Sequence, residues 1–129
     1  MAKTTEFELE PTEAEEQRQL FKWAKMQSGR YPELLYMYHV PNGGHRKTRE
    51  AALLRAEGVR SGVPDIVIPA PRKPFHGLYI ELKRQKSGVV SEEQKKWLIY
   101  LGFAGYKAVM CRGWKEASET IMSYLKGED

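Results

Sequence analysis

Two short apolar runs near the middle of the chain carry charged residues at positions where a core strand normally has none. The first run, residues 65–68, begins with Asp65, and the second, residues 77–83, ends with Glu81 and Lys83 two positions apart. Burying such charges is costly unless they are paired or bound to a metal ion. Alternate residues of a strand share a face, so Glu81 and Lys83 are predicted to be neighbours. If the two runs pair, Asp65 lies near Glu81.

The order of elements around these runs predicts an α/β domain. Ser91 is expected to cap the third helix and Gly102 to end it. Such an alternation of helices and strands indicates a mixed central β-sheet flanked by helices. Hydrophobic periodicity and breakers predict helices at 13–28, 46–57, 92–101 and 114–125, and strands at 34–40, 65–68, 77–83 and 106–111.

Length and composition are those of one compact domain. The 129 residues, 41% hydrophobic, fit a single core. Residues 1–10 show little periodicity and are expected to form a flexible arm, leaving 11–129 as the domain. Cys111 is the single cysteine, and no Cys/His cluster has zinc spacing. The chain has no apolar run of signal-peptide or membrane-spanning length, so we expect a cytoplasmic protein without membrane association.

The first predicted helix places an acidic residue beside its apolar stripe. Thr12 and Glu15 have capping-box spacing at its start. At about 100° per residue, Glu13 projects near the middle of the face defined by Leu20 and its apolar neighbours. Glu16 projects toward the edge of that face. The periodicity therefore predicts that Glu13 is the inward-facing carboxylate.

Converging carboxylates repel one another unless a cation joins them, and all-oxygen ligation suits Mg²⁺ or Mn²⁺. A lysine such as Lys83 next to that site can orient water and stabilise charge as a phosphoryl group is attacked. The simpler interpretation is a surface ion pair between Glu81 and Lys83, with Asp65 in a Pro-Asp turn. That interpretation explains neither the hairpin-like arrangement nor the inward face of Glu13.

The segments GVPDIVIP, GLYIELK and SEEQKKWL, with PNGGHR and LRAEGVRSGVPD, closely resemble the virus-type replication-repair nuclease (VRR-NUC) family. This family belongs to the PD-(D/E)XK nuclease superfamily, and the likeness runs from about Glu13 to Tyr124. It implies a restriction-endonuclease-like core and divalent-metal-dependent cleavage of DNA, often at branched structures. The length resembles that of the stand-alone members common in phages and bacteria.

The resemblance also implies roles for individual residues. Asp65 and Glu81 resemble the metal ligands of the family, the carbonyl of Leu82 a further ligand, and Lys83 the catalytic lysine. Glu13 resembles the acid on the first helix, which contacts metal directly or through water, with Glu16 as its competitor.

Gln94 resembles the glutamine of the helix that follows the Glu-x-Lys strand. There it would hydrogen-bond to Lys83, to a water molecule or to a phosphate. The alternative is a purely structural role for Gln94 in the helix that Ser91 caps.

Basic residues cluster in three places, and the chain carries a net charge of +4. One cluster follows a Gly-Gly turn, one lies in the loop between the two charged strands, and one follows the second of them. We expect these clusters to border the metal site and to contact phosphates. The predicted DNA-binding residues are Arg46, Lys47, Arg49, Arg72, Lys73, Arg84 and Lys86.

Together with the charged strands, this resemblance implies an Mg²⁺- or Mn²⁺-dependent endonuclease for branched DNA such as four-way Holliday junctions, with no small-molecule cofactor. Two-fold cleavage of a junction predicts a homodimer. Two alternatives stay open, namely a non-catalytic DNA-binding module with the same fold and an interaction protein whose hairpin is purely structural. Clustered carboxylates facing phosphates argue against a pure binder.

Overall fold

The structure, a computed structural model, describes residues 10–41 and 48–128. Within these ranges the chain forms helices, a short 3₁₀ helix and strands in the predicted order. The elements are α1 (Glu13–Gln27), a 3₁₀ helix (Pro32–Tyr36), β1 (Tyr38–His39), α2 (Thr48–Ala56), β2 (Ile66–Ile68), β3 (Leu78–Lys83), α3 (Glu92–Phe103), β4 (Lys107–Arg112) and α4 (Gly113–Leu125).

The strands form one mixed sheet in the order β1-β2-β3-β4. β2 is antiparallel to both β1 and β3, whereas β3 and β4 run parallel. The predicted α/β fold with a mixed sheet is therefore confirmed. Ile66 lies opposite Ile80 in the β2–β3 pair, and the same register continued by one residue brings Asp65 level with Glu81.

Both faces of β3 are covered at its carboxyl end, where Glu81, Leu82 and Lys83 are all buried. Successive strand residues point to opposite faces, so one apolar and two charged side chains are enclosed on different sides of the sheet. Helices α1 and α4 pack against each other and against β3. Ile121 and Tyr124 of α4 are fully buried there. Each such apolar side chain contributes about 1.5–3 kcal/mol by burial, which fixes the frame around the charged residues.

Two predicted elements differ from the structure. The strand expected at 34–40 is a 3₁₀ helix followed by the two-residue strand β1, because Pro32 occupies the first turn and favours a helical start. Helix α3 passes through Gly102 and ends after Phe103. The stop is Gly105, whose φ of +97° favours glycine and lets the Tyr106 N–H reach the Leu101 carbonyl at 3.0 Å.

The N-terminal segment joins the domain one residue earlier than expected. Glu10 was placed in the flexible arm, but it is buried against the turn after β3. Residues 1–9 lie outside the described residues, so the arm itself stays a prediction. In the two described ranges, no helix is long and apolar enough to cross a membrane.

Candidate active site

The carboxylate of Asp65 lies at the end of β3. Its Oδ2 accepts a hydrogen bond of 2.8 Å from the N–H of Leu82. The carbonyl of Asp65 accepts one of 2.7 Å from Val40 and lies 2.9 Å from Nδ1 of His39. Asp65 thus joins β1 to β3 at the point where β2 begins. The N–H and carbonyl of one strand residue point to the same side, so the carbonyl of Leu82 faces this edge as well.

Glu81 is a buried carboxylate with an incomplete set of partners. Its Oε2 accepts a 3.0 Å hydrogen bond from Nε2 of Gln94 and lies 3.6 Å from Nζ of Lys83. Its Oε1 is buried and has no hydrogen-bond partner among the described residues. Burial, followed by the neighbouring Asp65, raises the pKa of Glu81 to about 9. A buried oxygen without a partner beside a second carboxylate is an arrangement that a cation would stabilise.

Gln94 has the structural role that the sequence left open, together with a contact to Glu81 that was not predicted. It forms a capping box with Ser91, in which its Oε1 accepts from the Ser91 N–H at 2.8 Å and its own N–H donates to the Ser91 hydroxyl at 3.1 Å. This bond orients the amide so that Nε2 faces Glu81. The side-chain partner of the Gln94 amide N–H in the structure is therefore Glu81, whereas the prediction was Lys83, a water molecule or a phosphate. The cap of α3 holds a candidate metal ligand in place.

The phase of α1 differs from the prediction. Its buried face is formed by Glu16, Leu20 and Ala24. The expected phase was wrong because it included neighbouring aromatic residues that are only partly buried. Glu16 is enclosed because its two oxygens accept hydrogen bonds from the N–H of Trp114 at 2.9 Å and from the Gln85 amide at 2.8 Å. Glu16 thus accepts a hydrogen bond from a backbone N–H in the first turn of α4, so its contacts in the structure are structural.

Glu13 is exposed along much of its side chain, yet it lines the same cavity as Asp65 and Glu81. The pKa of Glu13 is raised, and burial is the largest cause. The charge of Lys83 opposes this shift, whereas the charge of Asp65 adds to it. Gln17 lines the cavity one turn further along α1. The structure therefore brings Glu13, and not Glu16, to the carboxylate pair, while the role of Glu13 stays a prediction.

Substitutions on α1 should separate these two glutamates. We expect Glu13→Gln to lower cleavage at least about tenfold without changing stability. Glu16→Gln should lower the free energy of unfolding by about 1–3 kcal/mol, because it removes one of two buried acceptors. Glu15→Gln is the control, since Glu15 only accepts from the N–H of Thr12 at the exposed helix start. Urea unfolding and initial rates measured on the three variants would contradict this assignment if Glu16→Gln lost activity but kept full stability.

Arg72 lies away from Asp65 and Glu81, contrary to the prediction that its loop flanks the metal site. The loop joins the opposite ends of β2 and β3 from those that carry Asp65 and Glu81. Arg72 forms an ion pair with Glu33, and its Nε donates to the carbonyl of Leu125 at 2.9 Å. The loop position was misjudged because an antiparallel hairpin places its turn at the far end of both strands. Lys73 is exposed in this same loop.

Arg84 holds the N-terminal segment against the turn after β3. Its guanidinium donates to the carbonyls of Pro11 at 2.9 Å and Glu10 at 2.8 Å. Glu10 in turn accepts from the N–H groups of Lys86 and Ser87 and from the Ser87 hydroxyl. Burial opposes the charge of Glu10, but these bonds and Arg84 lower its pKa to about 2. In the structure Arg84 is thus a structural residue, while the side chain of Lys86 lies in an exposed position.

The first basic cluster is described only in part. Arg49 is exposed on α2. Arg46 and Lys47 lie outside the described residues, so their predicted contact with DNA stays a prediction.

A cavity of about 620 Å³ opens beside the carboxylates. The residues that line it include Glu13, Asp65, Glu81 and Gln94. Arg55, which belongs to the first basic cluster of the sequence, and Arg60, which the predicted clusters omit, line it as well. Arg60 lies between Gly58 and Gly62, shortly before the Pro64-Asp65 pair. This position next to a predicted metal ligand is the sequence feature that could have identified it.

The donors at this site suit a hard divalent cation. Asp65 and Glu81 supply carboxylate oxygens, and the buried Glu81 Oε1 lacks a partner among the described residues. Over residues 10–41 and 48–128, no group of three or more His, Cys, Asp or Glu side chains is placed to hold a metal ion. The fit is therefore that of a two-carboxylate site completed by a backbone carbonyl and water, as Mg²⁺ permits.

A small mixed sheet that presents two carboxylates and a lysine from adjacent strands is the arrangement expected of a nuclease of the PD-(D/E)XK type. The model of the VRR-NUC domain matches residues 11–115. A solved structure titled VRR_NUC domain protein is 34% identical in sequence, with a TM-score of 0.78 over 90% of this chain and 89% of that chain. The comparison with curated proteins gives no match.

The chain belongs to the VRR-NUC family. This is a family of nuclease domains, for which DNA is the implied substrate. Nucleases of its superfamily generally use divalent metal ions.

Proposed function

We propose that this chain is an Mg²⁺- or Mn²⁺-dependent endonuclease that hydrolyses phosphodiesters in branched DNA such as four-way Holliday junctions. The observation that carries the proposal is the pair Asp65 and Glu81, in which a buried oxygen with no hydrogen-bond partner among the described residues lies beside a second carboxylate and a buried lysine. A DNA-binding module or an interaction protein has no use for this costly arrangement.

In this proposal each residue has a defined task. Asp65, Glu81 and the carbonyl of Leu82 hold the cation, and Glu13 contributes from α1. A divalent cation held there would supply positive charge at the phosphate and would lower the pKa of water. Lys83 positions the attacking water and stabilises charge on the phosphate, while Gln94 keeps the Glu81 carboxylate in its orientation.

The test is cleavage by the purified protein of matched linear, flap and four-way substrates in Mn²⁺, Mg²⁺ or EDTA. We expect cleavage only with a divalent ion, and faster cleavage of the branched substrates. Calorimetry with Mn²⁺ should show a site that Asp65→Ala abolishes. DNA binding without cleavage under any of these ions would leave the non-catalytic module as the better explanation.

We further propose that the chain acts as a homodimer. One such site holds one scissile phosphate, so symmetric cleavage of a junction is most simply made by two copies related by a two-fold axis. Tyr36 and Tyr100 are 71% and 65% exposed and offer aromatic surface to such an interface. Light scattering at micromolar concentration should give about twice the 14.9 kDa chain mass. A monomer that makes both cuts in one binding event would contradict this expectation.

A further inference from the structure

The cavity beside the carboxylates has a basic wall. Arg60 lies between Gly58 and Gly62, both of which have positive φ, at +105° and +88°. A Cβ at Gly62 would lie 2.8 Å from the carbonyl carbon of Glu93, so the segment packs closely against the start of α3. The indole N–H of Trp97 adds a hydrogen bond of 3.0 Å to the carbonyl of Ser61. The main chain around Arg60 is therefore fixed relative to α3, whose Gln94 holds Glu81.

Arg55 extends this basic wall from the last turn of α2. Nη1 of Arg60 donates to the carbonyl of Arg55 at 3.3 Å, which links the two residues. Within the part of the chain that the structure describes, neither guanidinium forms an ion pair with a carboxylate. Two arginines that line an acidic cavity, with no carboxylate partner in residues 10–41 and 48–128, are suited to an anionic ligand.

The size and the lining of the cavity fit an anion that is larger than a single phosphate group. A volume of about 620 Å³ is within the range of sites that enclose whole small molecules and exceeds what one phosphate needs. Ala51, Leu54 and Val59 line it together with the arginines and present apolar surface to a sugar or base. The cavity therefore has room for a nucleotide unit that reaches from the carboxylates to the arginines.

We propose that Arg55 and Arg60 bind the phosphodiester adjacent to the one that is cleaved. This inference rests on the proposed function, because it takes Asp65, Glu81 and Lys83 as the place of the scissile phosphate. The arginines then fix the register of the cleaved strand, and the intervening nucleotide occupies the cavity. Arg55 and Arg60 are binding residues in this scheme and do not contact the reacting atoms.

The test is a double-mutant cycle between protein and DNA. Cut positions are mapped with the wild-type chain, and branched DNA is then made with one neutral methylphosphonate at the scissile position or at one of the two on either side. Affinity is measured by fluorescence anisotropy in the Asp65→Asn background, with and without Arg55→Gln and Arg60→Gln. We expect one adjacent methylphosphonate to weaken binding about tenfold with the arginines present, and to have almost no effect without them.

Two further variants keep the outcome interpretable. Arg30→Gln makes the same change of charge beyond the far end of α1, a helix of 15 residues that is about 22 Å long at 1.5 Å per residue, and should show no coupling to any position. Replacing Arg55 and Arg60 by Lys should restore part of the coupling, provided that circular dichroism shows a folded protein.

Additive effects at every adjacent position would overturn the proposal, as would coupling confined to the scissile phosphate. Cleavage without coupling counts against the arginine pair alone. Coupling without cleavage by the wild-type chain under any cation counts against the proposed nuclease activity alone, and the scan then covers every phosphate near the branch point.

Discussion

Glu81→Gln and Asp65→Asn are each expected to lower cleavage by at least about 10³-fold while the protein stays folded. Loss of one carboxylate removes a ligand that places positive charge at the phosphate, and a loss of about 4 kcal/mol in transition-state stabilisation corresponds to that factor. The fold should persist because Asn at position 65 keeps an oxygen for the Leu82 N–H. Gln at position 81 keeps the shape of the side chain and loses both the repulsion from Asp65 and the ion pair with Lys83, so the protein should stay folded with a modest change in stability.

These expectations are checked by single-turnover cleavage, by thermal unfolding and by DNA binding measured separately. Affinity for DNA should be unchanged or higher in both variants, because negative charge near the phosphates has been removed. Glu92→Gln makes the same change of charge at an exposed position on α3 and should cleave like the wild type. Wild-type rates in either ligand variant would remove Asp65 and Glu81 from the proposed site.

The convergence of Asp65 and Glu81 could be predicted from the sequence because strand geometry dictates it. Side chains alternate along a strand with a period of two, and a hairpin of two apolar runs has few registers that bury both. The observed pairing of Ile66 with Ile80 is one of these. The order of elements was predictable for a similar reason, since breakers and caps such as Ser91 act locally.

Contacts between distant segments could not be predicted in the same way. Glu16 is buried because the N–H of Trp114, 98 residues away, needs an acceptor, and no local pattern encodes that need. Arg72 illustrates the same limit, because its partners Glu33 and Leu125 are brought together only by the packed fold. Charge in a sequence indicates a possible phosphate contact, but whether a guanidinium is already occupied by protein groups depends on the tertiary structure.

Lys83 provides the sharpest distinction between catalysis and structure. It is buried, and its Nζ lies 3.6 Å from Oε2 of Glu81. If Lys83 acts on water or on the charge of the transition state, Lys83→Ala should lower turnover by about 10²–10³-fold, as loss of one electrostatic stabiliser does in other enzymes. Affinity for Mn²⁺ should be unchanged or higher, because an ammonium next to a cation site opposes occupancy of that site.

Lys83→Met keeps the apolar stem of the side chain and protects the comparison against a folding defect, since removing one member of a buried ion pair can destabilise a protein. Lys95→Ala, at an exposed position on α3, controls for the loss of one positive charge. Calorimetry with Mn²⁺ and single-turnover rates in saturating metal separate binding from chemistry. If Lys83→Met lost Mn²⁺ affinity and recovered its full rate in excess Mn²⁺, Lys83 would be a structural partner that holds the Glu81 carboxylate in place. A lowered rate at full metal occupancy, with DNA affinity retained, is the result that a catalytic lysine requires.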